Sequence, residues 1–181
     1  MRVFIIILII VSHLAVSKPI EYIRVGSGSL SSKKDSRKDE FDFEEYARRI
    51  STHESGGDPA AVSKSGLYIG LYQIGDLALK DIGWRGVTVR KFRKNPEIFT
   101  QEDQLKALEM ITTKNRVYLK KYITLYSGRE VHGYKITTAG ILAAAHHIGA
   151  RKVKEFLKTG KVSKDGNGVK MTLFLRRMHD L

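Results

Sequence analysis

The chain has 181 residues, of which 42% are hydrophobic and 28% charged, and its mean hydropathy of -0.25 excludes a polytopic membrane protein. With 0 cysteines, disulfide scaffolds, zinc ribbons, iron–sulfur sites and cysteine nucleophiles are excluded together. Its 32 Lys+Arg against 19 Asp+Glu leave a net charge of +13, so the partner is expected to be anionic: nucleic acid, anionic lipid or an acidic cell-wall polymer.

Residues 1–17 have the layout of a signal peptide, with Arg2, an apolar run over 3–11, and small Ala15 and Ser17 before the expected cleavage site. The run is shorter than the ~20 residues that cross a bilayer, so a cleaved leader, and no stable membrane insertion after cleavage, is expected. Secretion, extracellular or periplasmic, argues against nucleic acid and turns the positive charge toward an acidic polymer outside the cytoplasm. Arg2 is the only Lys, Arg, Asp or Glu within 1–17, so that basicity belongs to the mature protein. Residues 18–40 join a Gly/Ser stretch to a charged run and hold too little apolar surface to offset the entropy of ordering, which predicts a flexible polar linker. The folded domain is expected over 41–181.

Within that domain, Asp42 is placed to cap a helix whose apolar positions Phe43, Ala47 and Ile50 recur at the helical period, and Gly56 and Gly57 end it. A Gly/Ser-rich loop to Leu71 precedes a short helix expected over 73–82, with Ile74, Leu77 and Ala78 inward. Thr100 and Asp103 form a capping-box pattern before a long helix expected over 101–122, with Leu105, Leu108, Ile111, Val117 and Leu119 inward. Tyr118, Tyr122 and Tyr126, spaced by four, read as core. Thr137 or Thr138 caps a helix with Ile141, Ala144, Ala145 and Ile148 on one face, and two more helices are expected over 152–158 and 171–178. Strand-like alternation is scarce, so the expected class is mainly α, with one helical domain.

Continuing the face Phe43, Ala47, Ile50 by four residues lands on Glu54, an acid where the pattern calls for core. A carboxyl against apolar walls has its charged form disfavoured and can hold a proton near neutral pH, as a general acid must. The alternative is a glutamate that faces solvent or pairs with Arg48 or Arg49.

Glu54-Ser55, followed by Asp58-Pro59 and Ser63, and then Gly70-Leu71-Tyr72-Gln73-Ile74, resemble the motifs of the lytic transglycosylase (SLT domain) and goose-type lysozyme-like superfamily. The resemblance covers 43–79 and, less closely, 137–150. It implies a lysozyme-like helical domain and a secreted enzyme that cleaves the MurNAc-GlcNAc β-1,4 bond of peptidoglycan. It further implies Glu54 as the catalytic residue, with Ser55, Ser63, Tyr72 and Gln73 facing the substrate. The family's Ala-Tyr-Asn-x-Gly motif has its place taken by Ala145-His146-His147-Ile148-Gly149, which puts His146 and His147 where the family has Tyr and Asn. Tyr68 is a further residue for stacking on a sugar.

Two-carboxylate hydrolysis needs a second acid, for which Asp58 and Asp76 are the candidates. With Glu54 alone, the implied route is substrate-assisted and non-hydrolytic, with a 1,6-anhydro product. A hydrolytic muramidase and a non-catalytic glycan-binding module are the alternatives. His53, His132, His146 and His147 do not form a metal-binding motif, and neither a metal nor a cofactor is expected.

Overall fold

Asp42 opens the first helix in a computed structural model that describes residues 42–181. The expected leader 1–17, the linker 18–40 and Phe41 lie outside the described residues. The Asp42 carboxylate accepts hydrogen bonds from the backbone N–H groups of Glu44 and Glu45 and so caps α1 (Phe43–Ser55). Gly56, at φ 69°, takes the left-handed turn that stops it. Tyr46, Ala47 and Ile50 form the buried face. On the other side, Glu45 receives Arg48 and Arg49, whose hydrogen bonds hold its carboxyl down to about 2. Arg49 also reaches Asp180 and the Arg177 carbonyl, which fastens α1 to the C-terminal segment.

The segment expected as a helix over 73–82 divides in two. A hairpin pairs β1 (Tyr68–Ile69) with β2 (Ile74–Gly75), Tyr68 opposite Gly75 and Ile69 opposite Ile74, and only then does α2 (Asp76–Asp81) begin. The reason is backbone conformation. Gly70 (φ 73°) and Gln73 (φ 46°) both lie in the left-handed region and reverse the chain, so no right-handed helix starts at Gln73. Leu77, expected inward, is 85% exposed, and Leu79 is the residue α2 buries.

A single-turn helix α3 (Val89–Phe92), capped by Thr88, and a 3-10 turn at Pro96–Ile98 lead to α4 (Gln101–Tyr126), capped by the Thr100 hydroxyl as expected. The buried stripe of α4 runs through Gln104, Leu108, Thr112, Leu119 and Ile123, whereas Leu105 and Val117 are exposed. Gln104 takes the inward position because its amide ties down the neighbouring loop, and Leu105 is then turned about 100° away. Tyr118 is 57% exposed, with the Lys154 ammonium 3.3 Å from its ring centroid, and Tyr122 stacks on Tyr126. The three form a ladder whose outer rung, Tyr118, lies at the surface, while Tyr122 and Tyr126 are partly buried and pack against the core.

A second hairpin, β3 (Glu130–Val131) with β4 (Tyr134–Lys135), leads to α5 (Thr138–Ile148), capped by Thr137 and buried from Thr138 through Ala145. The last helices are α6 (Ala150–Thr159), burying Val153, Phe156 and Leu157, and α7 (Thr172–Arg177), burying Phe174 and Leu175. Helix α5 is central and packs against α4, α6 and α7. The class is mainly helical, and the strands are confined to the two short hairpins among the described residues. No helix among these residues is long and apolar enough to cross a membrane.

Candidate active site

The last turn of α1 aims Glu54 at the C-terminal end of α5, where His146 and His147 lie just beyond the buried alanines. Between them is a cavity of about 630 Å³, lined also by Ser63, Lys64, Tyr68, Gln73 and Asp165. The size suits a small ligand or part of a polymer. Its charges are one cation, Lys64, against the two carboxylates Glu54 and Asp165.

The loop walls are held by named contacts. Gln104, 1% exposed, accepts from the Leu71 N–H at 2.6 Å and donates to the carbonyls of Phe99 and Pro59. A Cβ on Gly70 would stand 2.4 Å from the Gln104 Oε1, so that position requires glycine for space as well as for φ. Gln73 donates from its amide to the Gly70 carbonyl, and its Oε1 has no partner among the described residues. The Ser63 hydroxyl accepts from the N–H groups of Leu67 and Tyr68 and so shapes the opposite lip.

His146 Nε2 lies 2.8 Å from the Tyr72 carbonyl, which can only accept, so Nε2 carries the hydrogen. Nδ1 of the neutral ring is then an acceptor, buried and without a partner. Burial holds the His146 pKa below its ordinary value. His147 stacks on Phe174 at 4.3 Å between centroids, with Nδ1 3.6 Å from Glu54 Oε1 and Nε2 3.6 Å from Asp165 Oδ2. Both distances are too long for hydrogen bonds, and Glu54 Oε1 and His147 Nε2 are buried without partners. Phe174 also carries the edge of His53, whose Nδ1 accepts from Arg177 and whose pKa is lowered first by burial.

Burial, the largest single influence on Glu54, pushes its carboxyl up, but the combined pull of His147, His146 and His53 takes it below the ordinary glutamate value. This reverses the expectation of a raised pKa. In the free protein at neutral pH Glu54 is a carboxylate.

The structure therefore brings Glu54, Ser63, Gln73, His146 and His147 to one cavity. Ser55 and Tyr72 stand outside it. The Ser55 hydroxyl lies within reach of the Ser51 and Leu71 carbonyls and fastens the end of α1 to the loop, and the Tyr72 side chain is buried in the core. Tyr68, 47% exposed, is the tyrosine at the cavity. Neither proposed second acid reaches it: Asp58 is exposed and turns onto the Ala60 N–H, and Asp76 accepts from the Val89 N–H in a different groove. Asp165 is there instead. Its Oδ1 accepts from the N–H groups of Asn167 and Val169, so its sequence signal, Asp165-Gly166-Asn167-Gly168, is that of a turn, and nothing local marks the free Oδ2. His132 packs on Phe156 away from the cavity, and no group of three or more metal-ligating side chains occurs among the described residues.

No protein-family model, curated protein or solved structure matches this chain.

Proposed function

We propose that the protein cleaves the β-1,4 bond of an N-acetylated cell-wall glycan of the peptidoglycan type, with Glu54 as general acid and then base in a lysozyme-like helical domain. The observation that carries this reading is a buried carboxyl with an unpartnered oxygen, on a cavity whose other groups are acceptors, donors and one exposed aromatic ring. Filling the cavity with a neutral sugar removes water from Glu54, adds to the effect of burial and favours the protonated acid.

Protonated Glu54 gives its proton to the bridging oxygen as the bond from that oxygen to C1 breaks, and the substrate's acetamido oxygen stabilises C1. The Glu54 carboxylate then takes the proton of the 6-hydroxyl while O6 bonds to C1, which yields a 1,6-anhydro sugar without water. Gln73 Oε1 supplies an acceptor for an amide N–H, and Tyr68 offers a ring for stacking.

Hydrolysis is a second reading, favoured by the free Asp165 Oδ2. We carry the anhydro route first because the His147 imidazole stands between the two carboxylates, where the sugar and a water would have to fit. Mass spectrometry of digested peptidoglycan tests both. Anhydro ends are expected from the wild type, with Asp165→Asn still active, since the amide keeps the Oδ1 acceptor. Reducing ends, together with an inactive Asp165→Asn, would select hydrolysis, and a wild type that releases no glycan would overturn the proposal.

A further inference from the structure

A second groove of about 660 Å³ adjoins the Glu54 cavity and shares Leu67 and Tyr68 with it. Its opposite wall is α3, which presents Arg90, Arg93 and Lys94. None of these three cations has an ion pair or hydrogen bond among the described residues. That is unusual company for apolar surface: Leu67 is 62% and Leu77 85% exposed in the same groove. Only Asp76 opposes the positive charge, and its Oδ1 is already engaged by the Val89 N–H.

The two grooves are joined by built contacts. An Arg93 guanidinium nitrogen lies 3.6 Å from where a Gly66 Cβ would be, so it reaches the loop that carries Ser63, Lys64 and Ser65 into the Glu54 cavity. The Tyr68 ring lies over Gly75, 3.2 Å from where that residue's Cβ would be, and forms the partition between the two spaces.

We infer that the groove between Leu67–Leu77 and the cations of α3 is a docking site for a short acidic peptide, projecting from the glycan whose scissile bond lies at Glu54. The inference rests on the proposed function. The chemistry fits the composition of the groove: free guanidinium and ammonium groups pair with carboxylates, and guanidinium does so in a two-pronged geometry. The exposed leucines take the aliphatic parts of such a peptide. Shape explains why the two ligand parts stay separate, because Tyr68 divides a space for sugar from a space for peptide.

The test titrates the full chain with a synthetic acidic tetrapeptide of the wall-stem kind and with the same peptide amidated at its carboxyl groups, reading backbone amide shifts. The acidic peptide is expected to move the resonances of Leu67, Leu77, Arg90, Arg93 and Lys94, with the amidated peptide and an Arg90→Gln/Arg93→Gln/Lys94→Gln variant each binding about tenfold more weakly. Higher salt is expected to weaken the acidic peptide only. Kinetics supply a second reading: the wild type should show a lower KM for peptide-bearing glycan than for the same glycan stripped of peptide. The triple variant should lose that preference, its KM for peptide-bearing glycan rising to that for the stripped glycan. Equal binding of both peptides, or a triple variant that binds like the wild type, would overturn the inference, as would a site that takes polyglycerol phosphate and not the peptide. If the peptide binds as described and no glycan is cleaved, the proposed function fails and the peptide site stands.

Discussion

The two grooves that meet at Tyr68 hold their charge in opposite ways. In the Glu54 cavity the polar atoms are buried, close together and short of partners: Glu54 Oε1, His146 Nδ1 and His147 Nε2 have no hydrogen bond, although two imidazoles and two carboxylates crowd one another. Beside α3, Arg90, Arg93 and Lys94 are exposed and equally unpaired, but water solvates them at little cost. Desolvated, mutually perturbed groups can do chemistry because their protonation responds to a ligand, whereas solvated like charges can only attract one. A third basic surface completes the contrast. Lys154 and Lys158 lie over the Tyr118 and Tyr122 rings, so their charge already helps to join α4 and α6.

The largest expected effect separates the two grooves directly. Glu54→Gln keeps the shape and removes the titrating group, so release of glycan fragments should fall by about two to four orders of magnitude. Binding of the acidic peptide should be unchanged, because the titrating group lies outside the second groove. A variant that turns over near the wild-type rate would end the case for Glu54.

Next in size is Gln104→Ala, which strips the Leu71 N–H and the Phe99 and Pro59 carbonyls of their buried partner. Leaving such groups unsatisfied costs about 1–3 kcal/mol each, so a loss of several kcal/mol is expected in urea unfolding. Activity should drop as the Gly70 turn loosens. Unchanged stability would mean that water replaces the amide.

The pH dependence of stability is expected to come from the cavity side. His146 and His53 have lowered folded values, so the fold prefers them neutral: their effect is absent above about 6.5, the unfolded value. Stability then falls as pH drops from there through the lowered folded values. Glu54, also lowered, keeps its contribution above its unfolded value of 4.5 and loses it as pH falls through the folded one. Chemical unfolding between pH 7 and 5 should show the histidine slope, and His146→Gln should make it shallower, leaving the share of His53. A slope identical in the variant would remove His146 from the account. The smallest effect belongs to the ladder on α4. Tyr118→Ala should cost about 0.5–1 kcal/mol and leave peptide binding untouched, measured by thermal melting and by the same titration.

Much of this was legible without a structure, because it depends on neighbours in the chain. Asp42 and Thr100 cap their helices through N–H groups two or three residues away, and Glu54 follows from helical spacing after Phe43, Ala47 and Ile50. The mainly helical class follows from the same periodicity. What failed did so where the decisive partner is remote. The helix expected from Gln73 gives way to a hairpin because Gly70 must clear Gln104 on α4, and Gln104 displaces Leu105 from the inward stripe for the same reason.

Spacing along single elements is enough to place the helix starts, the acid on an apolar face and the pair of histidines at the end of an alanine-rich helix. Packing across elements settles which tyrosine faces the cavity, that Asp165 rather than Asp58 or Asp76 joins Glu54, and that the histidines lower the Glu54 pKa instead of leaving burial to raise it. Those outcomes depend on distances of a few ångströms between residues remote in the chain, such as Glu54 with His147 and His147 with Asp165. Electrostatic and steric effects act across such gaps in space, and no local pattern records them.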